Sequence, residues 1–147
     1  MSVSFRPYEE TDKEACLALF DSNVPRYFDV TERAMFADFL DQLHRYYFVI
    51  EQDGQICGCG GFAEEERGKA RFTWGMVDNA RHGAGLGRKL AEYRLRAIEA
   101  SGQFKEVELF TTPQIAPFFA KFGFDVVGVE EDGFAPNMDK VQMRKAC

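Results

Sequence analysis

The sequence predicts an α+β fold: a central mixed sheet of about six to seven strands, mostly antiparallel, flanked by four helices. Two observations lead there. Segments with period 2 and segments with helical period follow one another in the order β-α-α-β-β-β-α-β-α-β-β. Adjacent hairpins then join through helical crossovers, which implies a mixed sheet covered by helices. At 147 residues the chain suits one domain spanning 1–147, large enough to bury a core.

The elements are justified in turn. "VSFRPY" reads as a short strand stopped by Pro7. "TDKE" matches a capping box with Thr11 as N-cap and Glu14 at N3, and Cys16, Leu17, Leu19 and Phe20 continue that helix. "DSNVPRYFD" is a loop. Thr31 can cap a second helix carrying Met35, Phe36, Phe39, Leu40 and Leu43 at helical spacing. "YYFVIEQDGQICGCGGFAEEE" is two strands around Asp53-Gly54, a strong hairpin signal, with Glu64, Glu65 and Glu66 in the turn that follows. "GKARFTWGMV" is a further strand ending near Val77. Beyond the turn "ARHGAGLG", a helix runs to Gly102 through Leu86, Leu90, Tyr93, Leu95, Ala97 and Ile98. "FKEVELFTT" alternates as a strand. Thr112-Pro113 then supplies an N-cap and Pro at N1 for a short helix that Gly123 stops. "FDVVGV" and "DKVQMRK" are the last strands.

Composition excludes several function classes. A net charge of −6 and a pI near 5.0 argue against nucleic-acid and anionic-membrane binding, and suit a cationic substrate. Fifteen phenylalanines fit a packed core. The four cysteines are Cys16, Cys57, Cys59 and Cys147; "GCGCG" has no second pair and no His cluster, so no metal site is expected. Small apolar strand residues explain Cys57 and Cys59, and a reducing cytoplasm is the expected compartment. "MSVSFRPYEE" has no apolar signal region, and no apolar run approaches a membrane span.

The segment that carries chemistry is "ARHGAGLGRKL", Ala80 to Leu90. It fails the Walker pattern, because the position that needs Gly holds Arg88. It fails the dinucleotide fingerprint at Arg88 and at Leu90. The ingredients of an anion site are nevertheless present. A strand ends, a turn delivers free N–H groups, and a helix N-terminus orients them. Gly83, Gly85 and Gly87 let a bulky anion approach the backbone, and Arg81, Arg88 and Lys89 add charge. The alternative is a glycine-rich loop beside a solvated basic helix face.

"MVDNARHGAGLGRKL" resembles the strand-turn-helix motif of the GNAT superfamily of acyl-CoA-dependent N-acyltransferases, its six motif positions falling on His82 to Gly87. "FFAKFGF", Phe118 to Phe124, resembles the family's second signature. The two motifs are separated by one helix and one strand, as in the family, and the element order matches over the whole chain. The resemblance implies acetyl-CoA as acyl donor, with its pyrophosphate held by the backbone of His82, Gly83, Ala84, Gly85, Leu86, Gly87 and Arg88. It places Met76 and Val77 against the pantetheine arm, with the Val77 N–H facing the thioester oxygen. Gly75 would give a ligand room. Thr112 falls where many relatives carry a cofactor-touching Asn, although a helix N-cap also explains it.

Two positions depart from the family pattern. His82 replaces the usual Gln or Arg, and Phe119 stands where many members carry a Tyr that protonates the thiolate. Arg71 occupies the strand position where a carboxylate base is sought, which leaves Glu64, Glu65, Glu66, Asp78, Glu106 and Glu108 as candidates, with Glu64 and Asp78 named first. The acceptor is expected on the first two helices and their loop, at Arg26, Tyr27 and Phe28, with Trp74 facing the same cleft. The implied function is acetyl transfer from acetyl-CoA to a primary amine, on a small molecule or a peptide, by direct attack in a ternary complex. The rival is an acyl-CoA-binding module with weak or no catalysis. No nucleic acid or membrane partner is expected; a homodimer is compatible.

Overall fold

The computed structural model describes residues 3–42 and 44–147. Seven strands form one sheet: β1 (Val3–Pro7), β2 (Tyr47–Gln52), β3 (Gln55–Glu66), β4 (Lys69–Val77), β5 (Glu106–Thr111), β6 (Asp125–Ala135) and β7 (Met138–Ala146), in the spatial order β1-β2-β3-β4-β5-β7-β6. The helices are α1 (Lys13–Ser22), α2 (Arg33–Leu40), α3 (Leu86–Ser101) and α4 (Ala116–Ala120). The α+β class and the element order are those the sequence predicts. The β1–β2, β2–β3, β5–β7 and β6–β7 pairs are antiparallel, and β4–β5 is parallel.

The chain forms two compact units, Met1–Ala63 with Thr73–Ala97, and Glu64–Phe72 with Ile98–Cys147. In the first unit, Cys16, Leu17, Leu19, Phe20, Phe36 and Leu40 pack with Tyr47, Val49, Cys59 and Met76. Ile50, Cys57, Val77, Leu86 and Leu90 form a second cluster. Met76 and Val77 thus bury in different layers, as the period of a strand requires. Asp53 and Gly54 have φ of 53° and 76°, the left-handed pair of a two-residue hairpin turn between Gln52 and Gln55. In the second unit Phe72 meets Phe119 and Phe124 with ring centroids 6.3 and 5.7 Å apart, and Val107, Leu109, Val141 and Met143 are buried.

The helix starts differ from expectation. Thr11 and Glu14 do not form the first capping box. A 3-10 turn, Glu10–Asp12, precedes α1, and the Glu9 N–H donates to Asp12 Oδ2 at 2.8 Å. Arg6 fixes Asp12 in that role with bonds of 2.7 and 2.8 Å, so the box closes earlier than Thr11 would place it. Thr31 is not the second cap either. Asp29 accepts from the Thr31 N–H at 3.0 Å, and Glu32 accepts from the Asp29 N–H at 2.9 Å. A carboxylate two residues upstream outcompetes a hydroxyl as acceptor. Met35 is exposed, and Leu43 lies outside the described residues. Thr112 does not cap α4 with its side chain: the helix starts after Ile115, and the Thr112 hydroxyl is buried with no hydrogen-bond partner among the described residues. Gly123, at φ 93°, ends α4 as expected, with Gly123 N–H to Ala120 O and Phe124 N–H to Phe119 O. Glu64, Glu65 and Glu66 lie on β3 rather than in the turn, because the strand extends to Glu66 and the turn is Arg67-Gly68.

Candidate active site

The site is built where β4 ends. β4 pairs with β5 only over Lys69↔Glu106, Ala70↔Val107 and Arg71↔Glu108. Its later residues carry a kink at Trp74, whose φ of 32° is an outlier for a bulky side chain. Two things hold this strained residue. The Tyr47 hydroxyl donates to the Trp74 carbonyl at 2.7 Å, and the Trp74 ring packs against Phe20, Phe28, Phe36 and Phe39.

The next residue, Gly75, is required by a neighbour in its own unit. A Cβ there would lie 2.7 Å from Nη1 and 2.9 Å from Nη2 of Arg94. Arg94 extends from α3, is buried, and reaches the Gly61 carbonyl at 3.5 Å. Burial pushes its guanidinium down to about 10. The space at Gly75 therefore serves an arginine of this chain. Gly75→Ala should lower stability by about 1–3 kcal/mol, the usual cost of overpacking, read as a shift in the denaturant midpoint with the slope unchanged.

At the strand end, the Asp78 N–H donates to the Cys57 carbonyl on β3 at 2.9 Å. The Val77 carbonyl accepts two side-chain bonds, from Asn23 Nδ2 at 2.9 Å and from His82 Nε2 at 3.0 Å. The Asp78 carboxylate accepts from the Ala80 N–H at 3.1 Å and pairs with Arg81 at 3.6 Å. Arg81 is further held by Gln52 at 2.5 Å and Gln55 at 3.0 Å. Asp78 and Arg81 therefore shape the turn.

The turn then delivers donors. Ala84 N–H bonds to the Arg81 carbonyl, and the first bond of α3 is Lys89 N–H to Gly85 O at 3.1 Å. The N–H groups of Gly83, Gly85, Leu86, Gly87 and Arg88 precede it and have no backbone acceptor among the described residues. Gly83 and Gly85 have φ of 89° and 84°, so the left-handed backbone itself calls for glycine at both. A Cβ at either would meet no protein atom within 4 Å, so the turn opens outward. A sixteen-residue helix behind it adds its positive end. Arg88 is exposed and pairs with Glu92 at 3.5 Å. This arrangement can bind a multiply charged anion through the backbone.

The remaining residues fall as follows. Tyr27 meets the His82 ring with centroids 5.2 Å apart, so the loop after α1 and the glycine turn touch. Phe28 and Trp74 sit together in the aromatic cluster at 6.2 Å. Glu64 is exposed on β3. In the second unit, Phe119 lies edge-on to Phe72, Phe118 and Phe124 and offers no hydroxyl. Glu108 is buried and fully engaged: Arg71 donates at 2.7 Å from Nε, Lys69 lies at 3.1 Å and Gln142 at 3.0 Å. Burial pushes its carboxyl up, but these three partners outweigh burial and hold it below the ordinary range. It is unsuited to be a base. Arg71, read from sequence as an empty base position, also pairs with Glu65 at 3.0 Å. Among the described residues no group of three His, Cys, Asp or Glu is placed to hold a metal ion, and no helix is long and apolar enough to cross a membrane.

The family model for the acetyltransferase (GNAT) domain matches residues 43–126, more than half of the chain. The chain belongs to the GNAT acetyltransferase family. No curated protein matches the sequence significantly. Solved GNAT structures share its fold. Ard1 from Thermoplasma volcanium aligns with a TM-score of 0.84 at 17% identity, over 99% of this chain and 98% of that one. The ribosomal-protein-S18-alanine N-acetyltransferase from Escherichia coli gives 0.82 at 18%, over 99% and 94%. The yncA structure from Salmonella typhimurium, solved with its cofactor acetyl-CoA, gives 0.77 at 18%, over 99% and 94%. At these identities the likeness is one of fold.

Three residues that shape this GNAT strand were not singled out in the sequence: Asn23, Tyr47 and Arg94. For Arg94 a signal exists, since Leu86, Leu90, Arg94 and Ile98 recur every four residues and place it on the apolar face of α3. For Asn23 there is none, because its bond to Val77 spans 54 residues.

Proposed function

We propose that this GNAT chain acts as one domain that transfers an acetyl group from acetyl-CoA to a primary amine by direct attack in a ternary complex. The observation that carries the reading is the set of N–H groups of Gly83, Gly85, Leu86, Gly87 and Arg88, without backbone acceptors among the described residues, at the positive end of α3. They suit a pyrophosphate, which asks for several donors converging on one anion. When bound, acetyl-CoA supplies an activated thioester. His82 to Arg88 hold its pyrophosphate, and Met76 and Val77 run along its arm. We assign Thr112 and Phe119 to the cofactor on the family motif alone.

The backbone at Val77 supports its role as oxyanion donor. In an antiparallel pair the N–H and C=O of one residue point to the same side, and those of the next residue to the other. Asp78 uses its N–H on β3, whereas the Val77 carbonyl turns to Asn23 and His82. The Val77 N–H therefore points away from β3, where it can meet charge growing on the thioester oxygen. Phe119 cannot protonate the leaving thiolate. A thiol with a pKa near 8.5 leaves readily without help, so the loss is about one to two orders of magnitude in rate.

An acetyl-cysteine intermediate is not part of this reading. Cys16, Cys57 and Cys59 are fully buried, and burial pushes the Cys57 thiol up, away from the reactive thiolate. Tyr27, Phe28 and Trp74 are assigned to the acceptor, a small-molecule or peptide amine. Buried free thiols suit a reducing cytoplasm. A homodimer is compatible with the reading and nothing in it requires one.

The test follows free thiol while the protein is incubated with acetyl-CoA and a panel of amines. Amine-dependent thiol release supports the enzyme. Tight acetyl-CoA binding without release across the panel favours the binding-module alternative, and absence of binding removes both.

A further inference from the structure

The end of β4 is held from α1. Asn23, the residue that follows α1, is buried and donates from Nδ2 to the Leu19 carbonyl at 2.8 Å and to the Val77 carbonyl at 2.9 Å. Both partners can only accept, so the side-chain nitrogen, and not the oxygen, faces them. The neighbouring Ser22 hydroxyl donates to the Leu19 carbonyl at 2.7 Å and accepts from the Asn79 N–H at 3.1 Å. The last turn of α1 thus grips the chain at Val77 and again at Asn79.

The peptide between Val77 and Asp78 is fixed at both ends. Its N–H donates to the Cys57 carbonyl at 2.9 Å, and its oxygen accepts from Asn23 Nδ2 and His82 Nε2. A carbonyl oxygen has two lone pairs, so both are engaged. His82 is exposed, where water competes for its bond; the Asn23 bond is buried. The end of α1 does not need that bond. The Asn23 N–H to the Phe20 carbonyl at 2.9 Å and the Nδ2 bond to Leu19 already serve the helix, and the bond to Val77, 54 residues on, is additional.

The additional bond matters because of what shares its side of the strand. The N–H and the carbonyl of Val77 point the same way, away from β3. A bare Val77 carbonyl would therefore crowd the thioester oxygen that its own N–H is to receive. Two oxygens repel, and the repulsion grows as negative charge builds on the thioester oxygen in the transition state. A donor on the Val77 carbonyl fixes its direction and offsets its negative end. The benefit is larger in the transition state than with acetyl-CoA merely bound, so it falls on kcat.

We propose that Asn23 is a positioning residue for acetyl transfer: through Nδ2 it holds Val77 so that the N–H, and not the carbonyl, meets the thioester oxygen. This rests on the acetyltransferase reading above. Asn23 acts through Val77 and exchanges no proton with the reacting atoms.

The test uses Asn23→Ala, with Ser22→Ala as control. Ser22→Ala loosens the same end of α1 but leaves the Val77 carbonyl its two donors. With the best amine of the panel, kcat of Asn23→Ala should fall at least about tenfold, less than the loss of a whole oxyanion donor because the Val77 N–H remains. Acetyl-CoA affinity in Asn23→Ala, and kcat in Ser22→Ala, should each stay within about threefold of wild type. Unchanged kcat in folded Asn23→Ala, an equal loss of kcat in Ser22→Ala, or a loss carried by affinity instead of kcat would overturn the proposal. A second readout needs neither turnover nor a variant. The wild type, labelled with 13C and 15N, is titrated with the ketone analogue of acetyl-CoA that has CH2 in place of the thioester sulfur. Asn23 Nδ2 should show a coupling across its hydrogen bond to the Val77 carbonyl carbon, free and bound, and the Val77 amide proton should move downfield on binding. A coupling lost on binding, or an unmoved Val77 amide, sinks the proposal whether or not any amine is acetylated. Absence of thiol release across the panel, with coupling and shift in place, would instead count against the acetyltransferase reading, and with it against a role for Asn23 in transfer.

Discussion

Gly85→Asp should abolish acetyl-CoA binding while leaving the fold intact. The variant places a carboxylate among the five N–H groups without backbone acceptors, where we propose the pyrophosphate binds. Like charges brought together in a partly dehydrated site cost several kcal/mol, so affinity should fall at least about a hundredfold. The protein itself should tolerate the change. No protein atom lies within 4 Å of a Cβ at Gly85, and at φ 84° Asp and Asn are among the side chains that adopt this region most readily. Backbone strain of roughly 1 kcal/mol should lower Tm by no more than about 4 °C. Gly85→Asn matches the size and the φ preference without the charge. It should retain more affinity than Gly85→Asp, and the difference isolates electrostatics. Calorimetric titration reads both; an affinity unchanged by Asp would remove the pyrophosphate from this turn.

The second large effect concerns stability. Glu108 answers Arg71, Lys69 and Gln142 from a buried position, at the last pair of the β4–β5 ladder. Glu108→Ala removes the buried acceptor of Arg71 and Lys69 and leaves them only the exposed Glu65 and Glu66. Breaking a buried pair costs about 3 kcal/mol or more, which for a chain of this length is roughly a 10 °C drop in Tm. The sign of the pH effect follows from the direction of the shift. The folded carboxyl lies below its ordinary value. Its contribution is therefore present above the unfolded pKa, near 4.3, and is lost as pH falls through the lower folded value. The gap between wild type and Glu108→Ala should be widest near neutral pH and should close below about pH 4. A gap independent of pH would assign the loss to packing.

The order of elements was legible because each rests on local signals: alternation in "FKEVELFTT", helical spacing from Leu86 to Ile98, and Asp53-Gly54 between two strands. The helix caps were misplaced by a few residues because several acceptors compete at each start. Arg6, distant from the capping signal, decides for Asp12, and the charged Asp29 displaces Thr31. The glycine turn was legible as a special backbone ahead of a helix, and its two positive φ values explain Gly83 and Gly85 independently of any ligand. What the sequence could not give is side-chain direction over long separations. His82 was legible only as a departure from the usual Gln or Arg, and its bond to Val77 depends on how the turn folds back. Gly75 looked like room for a ligand until Arg94 was found against it. The missing hydroxyl at Phe119 was readable at once, because an absent atom needs no geometry.

The most direct test of direct acetyl transfer is a single-turnover experiment with acetyl-CoA labelled in the acetyl group, analysed by mass spectrometry of both amine and protein. Direct transfer predicts label on the amine nitrogen in amounts equal to the coenzyme A thiol released, with the protein mass unchanged at every time point. Label appearing first on a cysteine of the chain, or thiol released without acetylated amine, would contradict it.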